Sequence, residues 1–419
     1  MKPFKINKEC RLCKSKLEKI INIGPQPLAN QFFKKKIVKK YPLNLTKCSR
    51  CNFFQLQESF NTNFLFSKYN YYSPENDEVT KHHLFIINEI CKNKRINSSS
   101  KILEVGSNNC TFLDLLKFKF KCFVLGIDPA KNLKSICESK NIITEVVEFN
   151  YKSSSSIIKK YGEFDLIILR HVFAHIHDLR KIISGLSNLI KKDGTIYIEN
   201  AYALSTFQNN EFDQIYHEHM SYISVKPLIN FFLKEQINVY DAFKSKIHGG
   251  SISIFLTKNK NKKISKRLKI ILNKEKILYK KKFVDKFVKN TQQNKNIFIN
   301  YINKISKNKK KIATYGASAK GNTLLNYYKI NHKIIKYAFD NTPIKINKYL
   351  PGTGIKVVSS ESNLKYKCDY IIVTAWNFLK TIVNKEIIFL KKGGKFIVPN
   401  PLRVITIKNY KKFIQKNYL

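Results

Sequence analysis

Residues 215–224 read IYHEHMSYIS and place two histidines, a glutamate, two tyrosines and two serines in ten positions. Such side chains can bind a metal ion, move protons or form a polar loop, and the spacing decides between these. A zinc-protease motif, HExxH, would need a second histidine where Ser221 stands. A serine nucleophile elbow is excluded as well, because the sequence contains no GxSxG. Proton chemistry and a hydrogen-bonded polar loop remain as interpretations.

Four of the nine cysteines form two Cys-x-x-Cys pairs, which are better candidates for metal binding: Cys10 with Cys13, and Cys48 with Cys51. Four thiolates complete a tetrahedral Zn²⁺ site and leave no position open for substrate. We therefore predict a structural zinc ion in a small N-terminal domain, residues 1–70. A redox dithiol and a catalytic zinc are the alternatives.

Strands and helices alternate after residue 100. The stretch SSSKILEVGSNNCTFLDLL predicts a strand over residues 102–105, a glycine turn and a helix from Thr111. FVLGIDPA, EFDLIILRHVFAHI and GTIYIEN supply three more strands. This order predicts an α/β fold with a doubly wound parallel sheet, which we assign to residues 71–245.

Two positions of this sheet suit S-adenosylmethionine. Gly106 ends the first strand, where backbone amides can approach a ligand, and Asp128 ends the second, where a carboxylate can accept the ribose hydroxyls. Glu104 and Asn108 belong to the same turn as Gly106. A dinucleotide fingerprint fits less well, because the GxGxxG spacing is missing.

A second strand, glycine turn and helix follow in KKIATYGASAKGNTLLNYY, where Gly316 and Gly321 frame Ser318 and Lys320. The lysine precedes the second glycine, so this is not a Walker A loop. Helix amides, a hydroxyl and an ammonium can nevertheless hold an anion, and a tight turn with an incidental lysine is the alternative. With the strands of KYAFDN, CDYIIVTAW and GGKFIVPNP, residues 246–419 are predicted to form a second Rossmann-like domain.

In this order, EVGSNNCTFL, RHVFAHIHD and YHEHMSYIS behind two Cys-x-x-Cys pairs resemble the sugar C-methyltransferases of deoxysugar pathways. The resemblance covers essentially the whole chain, and HGGSISIF and GASAKGNTLL are further shared strings. It implies transfer of a methyl group from S-adenosylmethionine to a carbon of a nucleotide-linked keto-sugar. Cys110 is a departure, since the family usually has glycine there.

The resemblance also implies residue roles. Carbon methylation needs a base that makes an enolate and donors that stabilise it. In the family the string Tyr-x-Glu-His is catalytic, which points to His219 as the base with Tyr216 and Glu218 as positioning or enolate-stabilising groups. His217 and Tyr222 would support them. Further expected site residues are His175 and Tyr72 (with Tyr69 and Tyr71 as alternatives) in the active site, His171 near the cofactor, and Gly250, Ser318, Lys320 and Asn322 at the substrate.

The formal net charge of +48 could suggest a nucleic-acid partner. Lysine, asparagine and isoleucine are inflated together, however, so we interpret most lysines as solvated surface. The tract 257–283 places Ile264, Leu268, Ile271 and Leu272 at helical spacing, which predicts an amphipathic helix. No apolar run reaches membrane-spanning length, and we expect a cytoplasmic protein that does not insert into membranes.

Two rival functions stay open at this point: an O- or N-methyltransferase of a sugar or small molecule, and a zinc-containing nucleic-acid-binding protein. We consider nucleic acid the less favoured partner, because the clustered tyrosines and histidines lie away from the basic residues. The oligomeric state is left open, a monomer included.

Overall fold

The computed structural model describes residues 3–34, 38–67, 73 and 75–415, and these group into two units that alternate along the chain. The first unit consists of residues up to 18, 46–204 and 220–279. The second consists of residues 19–45, 205–219 and 280 onward. Each unit therefore contains segments that are distant in sequence.

The strands, numbered in chain order, are β1 Phe4–Ile6, β2 Leu17–Asn22, β3 Gln26–Pro27, β4 Lys40–Tyr41, β5 Asn44–Cys48, β6 Phe54–Leu56, β7 Glu58–Phe60, β8 Lys101–Val105, β9 Phe123–Ile127, β10 Ile143–Glu145, β11 Phe164–Arg170, β12 Ile190–Ala201, β13 Ser221–Tyr222, β14 Asn238–Ser245, β15 Ser251–Thr257, β16 Ile312–Tyr315, β17 Ile335–Asp340, β18 Lys356–Ser359, β19 Tyr370–Val373, β20 Lys395–Pro399 and β21 Leu402–Ile405.

The helices are α1 Thr62–Phe66, α2 Asp77–Asn93, α3 Thr111–Phe120, α4 Lys134–Ser139, α5 Tyr151–Tyr161, α6 Leu179–Leu189, α7 Ala203–Gln208, α8 Val225–Leu233, α9 Lys266–Glu275, α10 Lys281–Lys307, α11 Ala319–Tyr327, α12 Leu379–Lys385, α13 Ile387–Lys391 and α14 Tyr410–Gln415. Within the described ranges, no helix is long and apolar enough to cross a membrane.

The main sheet of the first unit has, among the described residues, the strand order β10-β9-β8-β11-β12-β15-β14. The strands from β10 to β12 are parallel, and the hairpin β14–β15 adds antiparallel strands beside β12. Continuous apolar runs such as LIIL, residues 166–169 of β11, suit strands buried on both faces. The carboxyl ends of β8, β9, β11 and β12 therefore share one edge of the sheet.

The second unit contains a sheet in the order β18-β17-β16-β19-β20-β21, again counted over the described residues. Its strands are parallel except for β21, and its core includes Phe339, Ile371, Val373, Phe389 and Phe396. The predicted α/β fold with two Rossmann-like sheets is thus confirmed. The boundaries predicted at residues 70 and 245 stay a prediction.

One secondary-structure prediction needs correction. The basic tract 257–283 is not one amphipathic helix, since β15 ends at Thr257 and α9 begins only at Lys266. Ile264 precedes α9 and is exposed, whereas Leu268 and Ile271 are buried on the apolar face of α9. Ser265 explains the late start, because its side chain accepts a hydrogen bond from the backbone N–H of Leu268 and caps the helix.

Candidate active site

The four cysteines of the two Cys-x-x-Cys pairs form one cluster. Their Sγ atoms all lie within 4.8 Å of one another, with 3.7 Å between Cys10 and Cys51 and 3.3 Å between Cys13 and Cys48. Four thiolates around one Zn²⁺ are separated by about 3.8 Å, so the cluster fits the ion. Among the described residues this is the one group of three or more metal-ligating side chains with such spacing. The predicted zinc site is confirmed, and its full set of protein ligands makes it structural.

The predicted cofactor residues lie at the carboxyl edge of the first unit's sheet. Asp128 follows β9, and its carboxylate accepts hydrogen bonds from the backbone N–H groups of Asn108 and Ala130, at 3.0 and 2.9 Å. Burial raises the pKa of Asp128. Glu104, in β8, is buried and accepts a hydrogen bond from Arg170 at 2.9 Å, and burial raises its pKa too. Each carboxylate keeps lone pairs for further donors.

Position 106 accepts only glycine, because of its backbone conformation and the close approach of Val172. Its φ is +70°, and a Cβ there would lie 2.2 Å from Cγ2 of Val172. The N–H groups of Gly106 and Ser107 donate to the carbonyl of Ile127, at 2.7 and 3.2 Å. The amides of Gly106 and Ser107 thus tie the turn to β9.

A disulfide joins the start of α3 to α4. Cys110 precedes α3 in a left-handed conformation and is bonded to Cys137, which lies on α4. The bond links the turn after Gly106 to the segment after Asp128. The departure at Cys110 thus has a structural partner that the sequence did not indicate.

His171 and His175 lie in the loop that follows β11, at the same edge of the sheet. The ring of His175 packs against Phe66 with 5.6 Å between centroids, and burial lowers its pKa to about 4. Burial, with His248 nearby, lowers the pKa of His171 well below its ordinary value. Both imidazoles are therefore neutral at neutral pH. Tyr72, with Tyr69 and Tyr71, lies outside the described residues.

The string Tyr-x-Glu-His belongs to the second unit. The hydroxyl of Tyr216 is 2.6 Å from Nε2 of His219, and Nδ1 of the same ring is 3.1 Å from the carbonyl oxygen of Gln214. A carbonyl can only accept, so Nδ1 carries the proton in the neutral ring. Nε2 is then the lone-pair nitrogen, and the hydroxyl of Tyr216 donates to it. The side chain of Gln214 is in turn held by Glu211, at 3.1 Å.

Glu218 and His217 are held by residues from the N-terminal part of the second unit. Asn30 donates from Nδ2 to a carboxylate oxygen of Glu218 at 2.6 Å. His217 donates from Nε2 to the carbonyl of Pro42 at 3.0 Å, and burial lowers its pKa to about 4. His217 is thus a neutral histidine that anchors the string. Tyr222 belongs to the first unit, where it is buried in β13 and pairs with β6.

The predicted anion site of the second unit contains a lysine among aromatic and acidic groups. Nζ of Lys320 lies 4.6 Å from the ring centre of Trp376 and 3.4 Å from Oδ1 of Asn377. Trp376 donates from Nε1 to Asp213 at 2.7 Å. Burial raises the pKa of Asp213 and of Glu211, an effect that the positive charge of Lys320 opposes.

The remaining predicted substrate residues do not all share a unit. Ser318 caps α11, since its Oγ accepts from the N–H of Gly321 at 3.0 Å, and Asn322 is buried within α11. Gly250 instead directly precedes β15 in the first unit, with φ +116°, and its carbonyl accepts a hydrogen bond from the N–H of Tyr202. The structure brings Ser318, Lys320 and Asn322 together on one helix, apart from Gly250 in sequence and in unit.

The two units repeat one hydrogen-bond pattern. Asp340 ends β17, and its carboxylate accepts from the N–H of Ala317 at 2.7 Å and of Thr342 at 2.8 Å. Gly316 donates to the carbonyl of Phe339, as Gly106 does to that of Ile127. Each unit thus ties its glycine turn to the aspartate of the next strand.

Sequence reasoning missed several residues around these sites. Asn30 lies far from Glu218 in sequence, and no local pattern links them. Asp213, Glu211 and Gln214 directly precede the string at 215–224, and Trp376 is the sole tryptophan of the chain. The acidic residues next to the histidine-rich string were the available signal.

Comparisons with known proteins agree with this arrangement. Three family profiles match in succession: a "Putative zinc binding domain" over residues 10–66, a methyltransferase domain over 78–239 and a C-methyltransferase C-terminal domain over 246–401. The C-methyltransferase NovU of Streptomyces niveus is 28% identical over 401 residues, which cover 94% of this chain and 95% of NovU.

Solved structures resemble part of the chain at lower identity. A SAM-dependent methyltransferase from Anabaena variabilis is 15% identical with a TM-score of 0.35, covering 42% of this chain and 84% of its own. One from Clostridium acetobutylicum is 16% identical with a TM-score of 0.34, covering 42% and 91%.

The parallel sheet, the residues at its carboxyl edge and the matched methyltransferase domain define an S-adenosylmethionine-dependent methyltransferase with a structural zinc site. Two findings narrow this class to enzymes that methylate carbon. The three profiles match in succession, and the relative NovU, a C-methyltransferase, aligns with nearly the whole chain. The chain is thus similar to C-methyltransferases over nearly its whole length, and it carries an N-terminal zinc-binding domain.

Proposed function

We propose that this C-methyltransferase acts on a nucleotide-activated keto-deoxysugar, and that His219 removes the proton next to the ketone. The acceptor class follows from the resemblance to enzymes of deoxysugar pathways. The role of His219 follows from its position in the string Tyr-x-Glu-His. The arrangement around its imidazole is the observation that carries the proposal.

His219 is prepared to accept a proton at a defined atom. The Gln214 carbonyl keeps the proton of the neutral ring on Nδ1, so the lone pair is on Nε2. In the proposed step, the α-hydrogen of the substrate passes to Nε2 and the C–H electron pair moves toward the ketone oxygen, which becomes an enolate. The resulting imidazolium keeps its Nδ1–H bond to Gln214.

Tyr216 has two roles in this proposal. In the resting site its hydroxyl donates to Nε2 of His219. When the substrate displaces this hydroxyl from Nε2, the lone pair can take the α-hydrogen and the hydroxyl becomes available to donate to the enolate oxygen. Glu218 holds its position through Asn30 and orients the string.

The bound S-adenosylmethionine would supply the electrophilic methyl group that the enolate carbon takes up. Glu104, Gly106, Asn108, Asp128 and His171 are proposed to hold it, as the sequence predicted. The carboxylates of Glu104 and Asp128 fit such a ligand, because each is buried and keeps acceptor capacity; Oε2 of Glu104 has no hydrogen-bond partner in the described part of the chain. Asp128 would accept ribose hydroxyls.

Lys320 and its surroundings support binding of the nucleotide end. An ammonium next to the capped start of α11 provides positive charge for a phosphate group. The ammonium lies over the ring of Trp376, and the negative charges of Asp213 and Glu211 favour it. Ser318 and Asn322 lie on the same helix turn, and Gly250 stays a separate candidate.

The test is the exchange of the substrate's α-hydrogen with solvent deuterium, followed by NMR with a panel of nucleotide keto-sugars. His219→Asn should bind S-adenosylmethionine normally yet lose exchange and methyl transfer with every substrate that the wild type accepts. His332→Asn, which changes another half-buried histidine of the second unit, is the matched control and should retain both. Normal exchange in His219→Asn would assign the base elsewhere. Wild-type turnover with no keto-sugar of the panel would contradict the acceptor class.

A further inference from the structure

A buried glutamate outside the predicted site lies at the cofactor edge of the first unit's sheet. Glu199 is in β12, with no exposed surface, and pairs in register with Arg170 at the end of β11. Four adjacent strands, β9, β8, β11 and β12, thus each place one residue at this edge, in the same order: Asp128, Gly106, His171 and Glu199. With about 4.8 Å between strands, they form a row roughly 14 Å long.

The two oxygens of this carboxylate are in different situations. Oε1 lies 2.8 Å from Nε2 of His82, on α2, and 3.4 Å from the hydroxyl of Ser245. Oε2 is buried without a hydrogen-bond partner in the part of the chain that the structure describes, and Nε2 of His171 is 3.8 Å away, beyond hydrogen-bond distance. A buried carboxylate oxygen without a donor is costly, so a ligand donor is expected there.

The backbone around Oε2 is strained in a way that suits a binding site. His171 and His248 have φ of +54° and +55°, and their rings meet edge to face with 4.6 Å between centroids. Left-handed residues other than glycine are uncommon and concentrate at functional sites. Because burial keeps His171 neutral, Glu199 is not paired with an imidazolium at this position.

We propose that Oε2 of Glu199 receives the α-ammonium group of the methionine part of S-adenosylmethionine. If Asp128 holds the ribose, the cofactor runs from β9 across β8, and its amino-acid end points toward β11 and β12. Glu199 is the carboxylate at that end of the row. The inference rests on the cofactor and is independent of the methyl acceptor and of His219.

The ammonium is a better match than the sulfonium for this oxygen. A sulfonium has charge but no hydrogen to donate, whereas Oε2 lacks a donor. An ammonium provides donors and charge together, and a charge-assisted hydrogen bond of this type is short and strong. This distinction can be tested with ligands that carry one group, both or neither.

The experiment is calorimetric titration of the purified chain with three ligands. S-adenosylmethionine has both the sulfonium and the ammonium, S-adenosylhomocysteine only the ammonium, and methylthioadenosine neither. Glu199→Gln should lower the affinity for S-adenosylmethionine and S-adenosylhomocysteine by roughly 10- to 100-fold. The affinity for methylthioadenosine should stay within about twofold of the wild-type value. Glu199→Asp, which retracts the carboxylate but keeps the charge, should show the same selectivity with a smaller loss, and it serves if the glutamine variant does not fold.

Glu89→Gln is the matched control. Glu89 is a buried carboxylate of the same unit, but Lys92 and Arg267 bind it away from the cofactor edge. It should bind all three ligands as the wild type does. The proposal is overturned if Glu199→Gln binds S-adenosylhomocysteine normally, or if methylthioadenosine weakens as much as the other two ligands.

Discussion

The hydroxyl oxygen of Tyr216 lies 2.6 Å from Nε2 of His219, while the Gln214 carbonyl holds the other ring nitrogen. These contacts fix both the tautomer and the direction of the imidazole. A histidine held at both nitrogens by groups of its own segment needs no substrate to become correctly oriented.

Replacing Tyr216 with phenylalanine should therefore slow catalysis without unfolding the protein. The change removes the donor to Nε2 and to the proposed enolate oxygen, and loss of one such donor lowers kcat by about 100-fold. Steady-state kinetics should show this fall with little change in KM. Tyr337→Phe, on β17 of the same unit, is the control; equal rates in both variants would remove Tyr216 from the mechanism.

Lys320→Met should weaken substrate binding more than it slows chemistry. If the ammonium binds a phosphate group in ground and transition states alike, its removal raises KM by roughly 10- to 100-fold and leaves kcat near the wild-type value. Lys336→Met, an exposed lysine in β17, should change neither constant. A fall in kcat at unchanged KM for Lys320→Met would contradict a role in substrate binding.

The stability of the chain should decrease as the pH falls from about 6.5 to 4. In the folded protein burial lowers the pKa of His217 to about 4, so the unfolded chain binds more protons across this window. His217 alone then accounts for a loss of about 3 kcal/mol at pH 4 relative to neutral pH. Urea unfolding at several pH values measures the free energy of unfolding. This free energy should fall less steeply with decreasing pH in His217→Gln, whose side chain can still donate to Pro42. An identical pH dependence in the two proteins would mean that His217 is not buried as a neutral ring.

Zinc should be present at one ion per chain and should be lost with its ligands. Cys48→Ser removes a buried thiolate from the cluster, so metal content should fall to near zero and the melting temperature should drop. Cys368→Ser, outside the cluster, provides the control. Retention of one zinc by Cys48→Ser would show that the ion is bound by other groups.

The disulfide between Cys110 and Cys137 should stabilise the first unit under oxidising conditions. The bridged residues are 27 apart, and a loop of this size contributes about 3.5 kcal/mol. Cys137→Ala should unfold at lower denaturant concentration than the wild type, and a reductant should abolish the difference. Cys122→Ala, which removes a buried but unbridged thiol, measures the packing cost alone; equal losses in both variants would exclude a stabilising bridge.

The sequence predicted the local structure well, because residues close together in sequence determine where strands, turns and helices begin and end. The helix after Gly106 begins at Thr111 as expected, and β8 and β9 end before Gly106 and Asp128. Turn glycines and apolar runs carry this information within a few residues.

Contacts between distant segments could not be predicted in the same way. Asn30 binds Glu218, although 188 positions separate them in sequence. Glu199 lies in an apolar run that predicts a strand and gives no sign of a binding site. Strand β15 likewise begins after the predicted boundary at residue 245, and it pairs with β12 and β14 in the sheet of the first unit. Such pairings depend on which strands meet in space, and a single sequence holds no periodic signal for that.

The alternation of the two units along the chain has a consequence for protein engineering. A chimera that joins residues 1–245 of this enzyme to the C-terminal part of a relative would combine Tyr216 and His219 from one parent with the residue in the place of Lys320 from the other. The packing of Phe212 on Tyr327 and Tyr328 would then be broken at the seam. A graft meant to change the acceptor should instead move residues 19–45, 205–219 and 280–419 together, although three separate stretches of the gene encode them.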